Sequence, residues 1–202
     1  MTIFLSKIAR FAQARRLWLS EVGTAIWGLK NNVKIWKKSV AGDYANARLG
    51  EFNVLSNLKD LTDSVIYNYD YKVADVFTEV GSMRIFKLPW SDAITSIEML
   101  GASKRDLPID LTKFNLDDFE EEEMTVQLPL KYTADVPENI TLSNDFAQYK
   151  MTYRMEGSKV IVNRSISLKQ TILPANRFED FKSFFLKVIK TDTRQMAIKK
   201  GI

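Results

Sequence analysis

Period-two alternation of apolar and polar positions recurs along most of the chain and is clearest after Phe146. There Tyr149, Met151, Tyr153 and Met155 alternate with Gln148, Lys150, Thr152 and Arg154, the pattern of a strand with one face buried. Glu156, Gly157 and Ser158 supply a turn. The return arm sets Val160, Val162, Ile166 and Leu168 against Ile161, Asn163, Ser165 and Ser167, so the apolar face fixes the register of the hairpin. After Pro174 the period becomes helical, with Phe178, Phe181, Phe185 and Val188 joined by Phe184 and Leu186. Asn176 is the predicted N-cap, with Glu179 in the position of a capping-box carboxylate.

The same reading extends toward the N-terminus. Val65, Tyr67, Tyr69, Tyr71 and Val73 alternate with Ile66, Asn68, Asp70 and Lys72, which predicts a half-buried strand. Residues 76–80 and 83–88 predict a pair of strands about Gly81-Ser82, and Met124, Val126 and Leu128 mark another strand. Residues 3–19 place Phe4, Ile8, Phe11, Ala12 and Leu19 near one face of an amphipathic helix. Residues 24–37 suggest two short strands around Asn31-Asn32. Over residues 42–61, the spacing of Tyr44, Ala47, Leu49, Phe52, Leu55 and Leu58 predicts a second helix, weakened by Gly50. The expected fold is mainly β: an antiparallel β-sandwich with a helical N-terminal segment, one mid-chain helix and one C-terminal helix packed on the sheet. Its expected division is a basic segment over residues 1–39 and a sandwich domain over 40–202.

Charge changes this picture at one end. Up to Val40 there are eight basic residues and one acid, so this segment carries +7 of a chain whose net charge is +4, and the remainder is −3. Lys7, Arg10, Arg15, Arg16, Lys34, Lys37 and Lys38, interleaved with Trp18, Trp27 and Trp36, form a candidate surface for anionic lipid or nucleic acid. Tryptophans filling a core beside solvated charges are the plainer explanation. The basic positions interrupt any apolar stretch that a signal peptide would need.

The chain has no cysteine and no histidine. Ser-His-Asp and Cys-His mechanisms, and zinc sites built on sulfur, are therefore closed to these residues alone. The acidic run Asp117, Asp118, Glu120, Glu121, Glu122 and Glu123 lacks the glycine and turn spacing of a calcium loop. It reads as a solvated lead into a strand, and nothing marks two of its carboxylates as a glycosidase pair. Ser56 and Lys59 have serine-lysine spacing without companion motifs. The four phenylalanines after residue 177 read as core, and neither a cofactor nor a metal site is expected.

Further along, the order of features resembles a known family. The phrase QLPLKYTADVPENI from Gln127, the aromatic strand from Phe146 to Tyr153, Arg164 on the return strand, LPANRF from Leu173, and FKSFFLKVIKTD ending at Asp192 resemble the C-terminal β domain of bacterial transglutaminase-like proteins. The likeness extends less firmly back to residue 40, through AGDYANARL and RDLPIDL. It implies an accessory module of the cell envelope whose partner is a transglutaminase-like core or a neighbouring subunit. The Cys-His-Asp arrangement of such a core has no counterpart in this chain. The expected function is thus a non-catalytic interaction module. Binding of an anionic membrane or nucleic acid through the basic segment is one alternative, with nucleic acid the less favoured ligand. A carbohydrate-binding sandwich using Tyr67, Tyr69, Tyr71 and Trp90 is the other.

Overall fold

A computed structural model describes residues 2–11, 47–55, 65–74, 76–90, 93–111 and 119–200. In chain order its strands are β1 (Thr2–Phe11), β2 (Ala47–Val54), β3 (Val65–Ala74), β4 (Thr78–Val80), β5 (Met83–Lys87), β6 (Ile109–Asp110) and β7 (Phe119–Gln127). They continue as β8 (Tyr132–Asp135), β9 (Ile140–Ser143), β10 (Ala147–Glu156), β11 (Lys159–Leu168), β12 (Ile172–Leu173) and β13 (Gln195–Lys200), with helix α1 (Phe178–Asp192) between the last two. An antiparallel sheet of seven strands runs β2-β3-β1-β7-β11-β10-β9. A second sheet runs β4-β5-β13-β8, and β6 and β12 form a short ribbon.

The hairpin of β10 and β11 forms as its alternation dictates. Residues from Ala147 to Glu156 pair without a slip with Leu168 back to Lys159, and Gly157 takes the positive φ that closes the turn. The inward face of the large sheet, from Met124 and Val126 through Val160 and Val162 to Tyr149 and Met151, is sealed from solvent. It shares one core with Phe86, Met196 and Ile198 of the small sheet. Helix α1 adds Phe178, Phe181, Phe184, Phe185 and Val188 to that core. Phe184 meets Phe146 edge-on at 5.5 Å, and Phe181 and Phe185 lie 4.7 Å apart. Each such ring is worth up to about 3 kcal/mol of burial, so this one face anchors the helix.

Three local expectations are corrected. Residues 3–11 are strand β1, where a helix was expected; all ten residues of β1 pair with β3, and eight of them also pair with β7. Their mixed pattern suits either period, and two flanking strands decide it. The rest of that expected helix lies outside the described residues. The helix expected over 42–61 is strand β2 where it is described. Leu49 faces Tyr71 and Phe52 faces Tyr69, so one extra residue sits in β2 as a bulge. That insertion stretches a spacing of two to three and imitates a helix. Gly50 is at the bulge, where a Cβ would meet the Asp70 carbonyl oxygen at 3.2 Å. Finally, Asn176 does not cap α1. A 3-10 turn over Ala175–Arg177 leads directly into the helix, and Arg177 is the N-cap without a side-chain cap bond.

Candidate functional site

The largest concentration of buried charge lies where β7, β11 and the end of α1 meet. Glu120 and Glu122 are in phase with Met124 and Val126, and Arg164 is in phase with Val162 and Ile166, so all three project to the core face. Register sets Arg164 opposite Glu122 and Ile166 opposite Glu120. Asp192, the last residue of α1, completes the group from above the sheet. The phenylalanine face of the helix fixes that approach.

The geometry is closed. Arg164 Nε donates to Asp192 Oδ1 at 2.9 Å, Nη2 donates to Asp192 Oδ2 at 3.0 Å, and Nη1 donates to Glu120 Oε1 at 2.9 Å. Asp192 also accepts the Tyr149 hydroxyl at 2.6 Å and the Ile94 backbone N–H at 2.8 Å. Its carboxylate thus carries four hydrogen bonds and is fully enclosed. Burial alone would pull the Arg164 guanidinium down, but Asp192 and Glu120 outweigh it and hold the pKa well above the ordinary arginine value. Burial, reinforced by the charge of Asp192, pushes the Tyr149 phenol far up. Burial also pushes Tyr153 up to about 12, against the opposing charge of Arg194. The Tyr153 hydroxyl lies 2.8 Å from the Met151 sulfur.

These groups have little catalytic capacity. Arginine is not a base, the two phenols stay neutral over the physiological range, and the lone pairs of Asp192 are already engaged. The arrangement does mechanical work, clamping the end of α1 to β11 and to the segment at Ile94. Beside it lies an open cavity of about 500 Å³, lined by Phe86, Leu88, Trp90, Thr95, Thr193 and Gln195 among others, with Asp192 in its wall. Since the Asp192 side chain has no exposed surface, the cavity does not present a free carboxylate to solvent.

The residues singled out in the sequence fare differently. Lys7 lies opposite Tyr69 and Met124, and Arg10 opposite Ile66 and Glu121, both in mid-sheet. Arg15, Arg16, Lys34, Lys37, Lys38 and the three tryptophans up to residue 36 lie outside the described residues, as do Ser56, Lys59, Asp117 and Asp118. The acidic run is not simply a solvated lead-in: Glu120 and Glu122 are 2% and 0% exposed, and only alternate members face outward. Tyr69, Tyr71 and Trp90 are core residues, so these three form no exposed aromatic platform. Among the described residues no group of acidic side chains is placed to hold a metal ion, and no helix is long and apolar enough to cross a membrane.

A family model described as "Domain of Unknown Function with solved-structure structure (DUF3858)" matches residues 82–198, more than half of the chain. The chain belongs to the DUF3858 family. The DUF3858 match contains Arg164, Glu120, Glu122, Asp192 and Tyr149, so the whole buried cluster lies within the family's span. A crystal structure of a candidate protease from Parabacteroides distasonis is similar over 59% of this chain at 20% identity, with a TM-score of 0.47. That similarity covers 24% of the Parabacteroides chain. No curated protein matches the DUF3858 chain.

Proposed function

We propose that this DUF3858 chain is a non-catalytic interaction module that packs against a partner domain or protein. Closure of the Arg164 cluster carries the reading. The densest group of ionisable side chains among the described residues is enclosed and hydrogen-bonded internally, as a structural clamp requires and as a reaction centre open to substrate does not allow. The lack of cysteine and histidine throughout the chain points the same way. The resemblance of residues 127–202 to the C-terminal domain of transglutaminase-like proteins names the partner class: a transglutaminase-like core, in the same assembly or on a neighbouring subunit.

Two measurements test this. Purified protein is expected to show no amide hydrolysis and no acyl transfer, and to form a complex with a transglutaminase-like core that survives size exclusion. Turnover that disappears in Glu120→Gln, Glu122→Gln or Ser56→Ala, each checked for folding by circular dichroism, overturns the non-catalytic reading. Failure to associate with any such core removes the named partner.

A further inference from the structure

Register brings several turns to one end of the two sheets. The turn of β10 and β11 reaches the end of β7, where Leu128 N–H donates to the Ser158 carbonyl at 2.8 Å and Gln127 Nε2 donates to Ser158 Oγ at 2.8 Å. Just beyond, the chain turns at Pro129 to begin β8. Tyr132 of β8 pairs with Lys200, Thr133 pairs with Lys199, and Lys199 pairs on its other side with Met83 at the start of β5. Each step links neighbouring strands, so these positions form one continuous rim.

The chemistry of this rim is unusual in two respects. Leu130, at the tip of its turn, is 88% exposed, and Met155 and Met83 are 40% and 39% exposed on the neighbouring hairpins. Around them stand the exposed Lys131, Lys159, Lys199 and Lys200. None of these four lysines makes a salt bridge among the described residues, whereas the nearby Arg154 and Arg84 are paired with Glu156 and Glu79. The turn itself is strained. Tyr132 N–H donates to the Pro129 carbonyl at 3.0 Å, and Lys131 takes φ +66°, a conformation usually left to glycine or asparagine. Holding a lysine there keeps a basic side chain beside a projecting leucine, a combination that folding alone does not require.

We propose that this rim docks on an anionic lipid surface. Charge complementarity identifies the occupant, since four exposed lysines favour a dense array of negative headgroups. Leu130 projects from a turn tip, and Met83 and Met155 stand on the strands next to two other turns, so the apolar side chains can enter the headgroup layer together, an arrangement suited to a bilayer and not to an extended peptide, which would need a groove. None of its residues belongs to the basic segment up to residue 39 or to the Arg164 cluster.

The test is sedimentation of the full chain with vesicles of phosphatidylcholine containing phosphatidylglycerol, against phosphatidylcholine alone. Binding is expected to the anionic vesicles only and to weaken as salt rises. Lys159→Ala combined with Lys199→Ala is expected to lower partitioning about 25-fold, near five-fold per lysine. Leu130→Ser is expected to lower it further. At these exposed positions the fold is retained, as circular dichroism should show. No sedimentation at low salt overturns the proposal. So does binding unchanged in the rim variants but lost in Arg15→Ala combined with Arg16→Ala, which assigns it to the N-terminal segment. Binding of polyglutamate, lost in the rim variants, without vesicle binding also overturns it and makes the rim a site for an acidic protein.

Discussion

Helix α1 begins and ends at an arginine that binds two carboxylates, and the two sites differ most in burial. At its start Arg177 reaches Asp145 through Nη1 and Nη2 at 2.7 and 2.8 Å, and reaches Asp180 through Nε at 2.6 Å. At its end Arg164 holds Asp192 and Glu120 at similar distances. The Arg177 side chain is 33% exposed, its partners 51% and 58%; around Arg164 the values are 0%, 0% and 3%. Bond lengths therefore say little about the consequences of losing either site. At the surface, water replaces a lost partner; in the core nothing does, and the charge left behind is stranded.

The sharpest break in this comparison is Arg164→Met. It leaves Glu120, Glu122 and Asp192 enclosed without the arginine's charge, and a loss of about 3–5 kcal/mol is expected in urea unfolding. The companion variant Arg164→Met with Glu120→Leu, Glu122→Leu and Asp192→Leu removes all four buried charges together. It is expected to recover most of that loss, because an apolar core of similar volume tolerates the site well. If the charge-free variant is no more stable than the single one, the cluster contributes attraction beyond mutual neutralisation.

Tyr149→Phe is the next largest effect. It deletes a hydrogen bond to the charged Asp192 carboxylate while keeping the ring, for an expected loss of about 1.5–3 kcal/mol. Both buried phenols also predict alkaline sensitivity. Their folded pKa values are raised above the unfolded value near 10. Each phenol's contribution is therefore complete below pH 10 and is lost as pH rises above it, through the folded pKa of about 12 for Tyr153. Each group steepens the fall in stability by at most about 1.4 kcal/mol per pH unit in that window. Urea midpoints measured from neutrality to pH 11 should fall, and Tyr153→Phe should flatten the curve without moving its neutral end by as much as Tyr149→Phe does.

Much of this region is legible in the sequence because one face is apolar and the period is regular. The hairpin, its turn and the helix after Pro174 all follow from that. The cluster is legible in the same pattern, though it is easily misread. Glu120 and Glu122 continue the phase of Met124 and Val126, and Arg164 fills the gap between Val162 and Ile166. A rule that assigns charges to solvent overlooks them, whereas strict alternation places them inside. Asp192 was harder to foresee, since it is buried only because the register of α1 on the sheet brings its end over Arg164. The strands β1 and β2 are obscured for other reasons: a mixed pattern in the first, and in the second a bulge that shifts the spacing by one residue.

The exposed counterpart gives the smallest effect and completes the comparison. The hydrogen bond from Arg177 holds the Asp145 carboxyl below its ordinary value of 3.8. A depressed acid contributes stability above the unfolded pKa and loses it as pH falls through the lower folded value, so whatever Asp145 contributes is present at neutrality and disappears only in strong acid. Because Arg177 and Asp145 are partly exposed, Arg177→Ala is expected to shift the neutral urea midpoint far less than Arg164→Met, and that shift should shrink further in high salt, where surface pairs are screened. The Arg164→Met deficit should be nearly insensitive to the same salt. Equal salt responses at the two ends of α1 would mean that water reaches the Arg164 cluster, and burial would then no longer account for the difference between them.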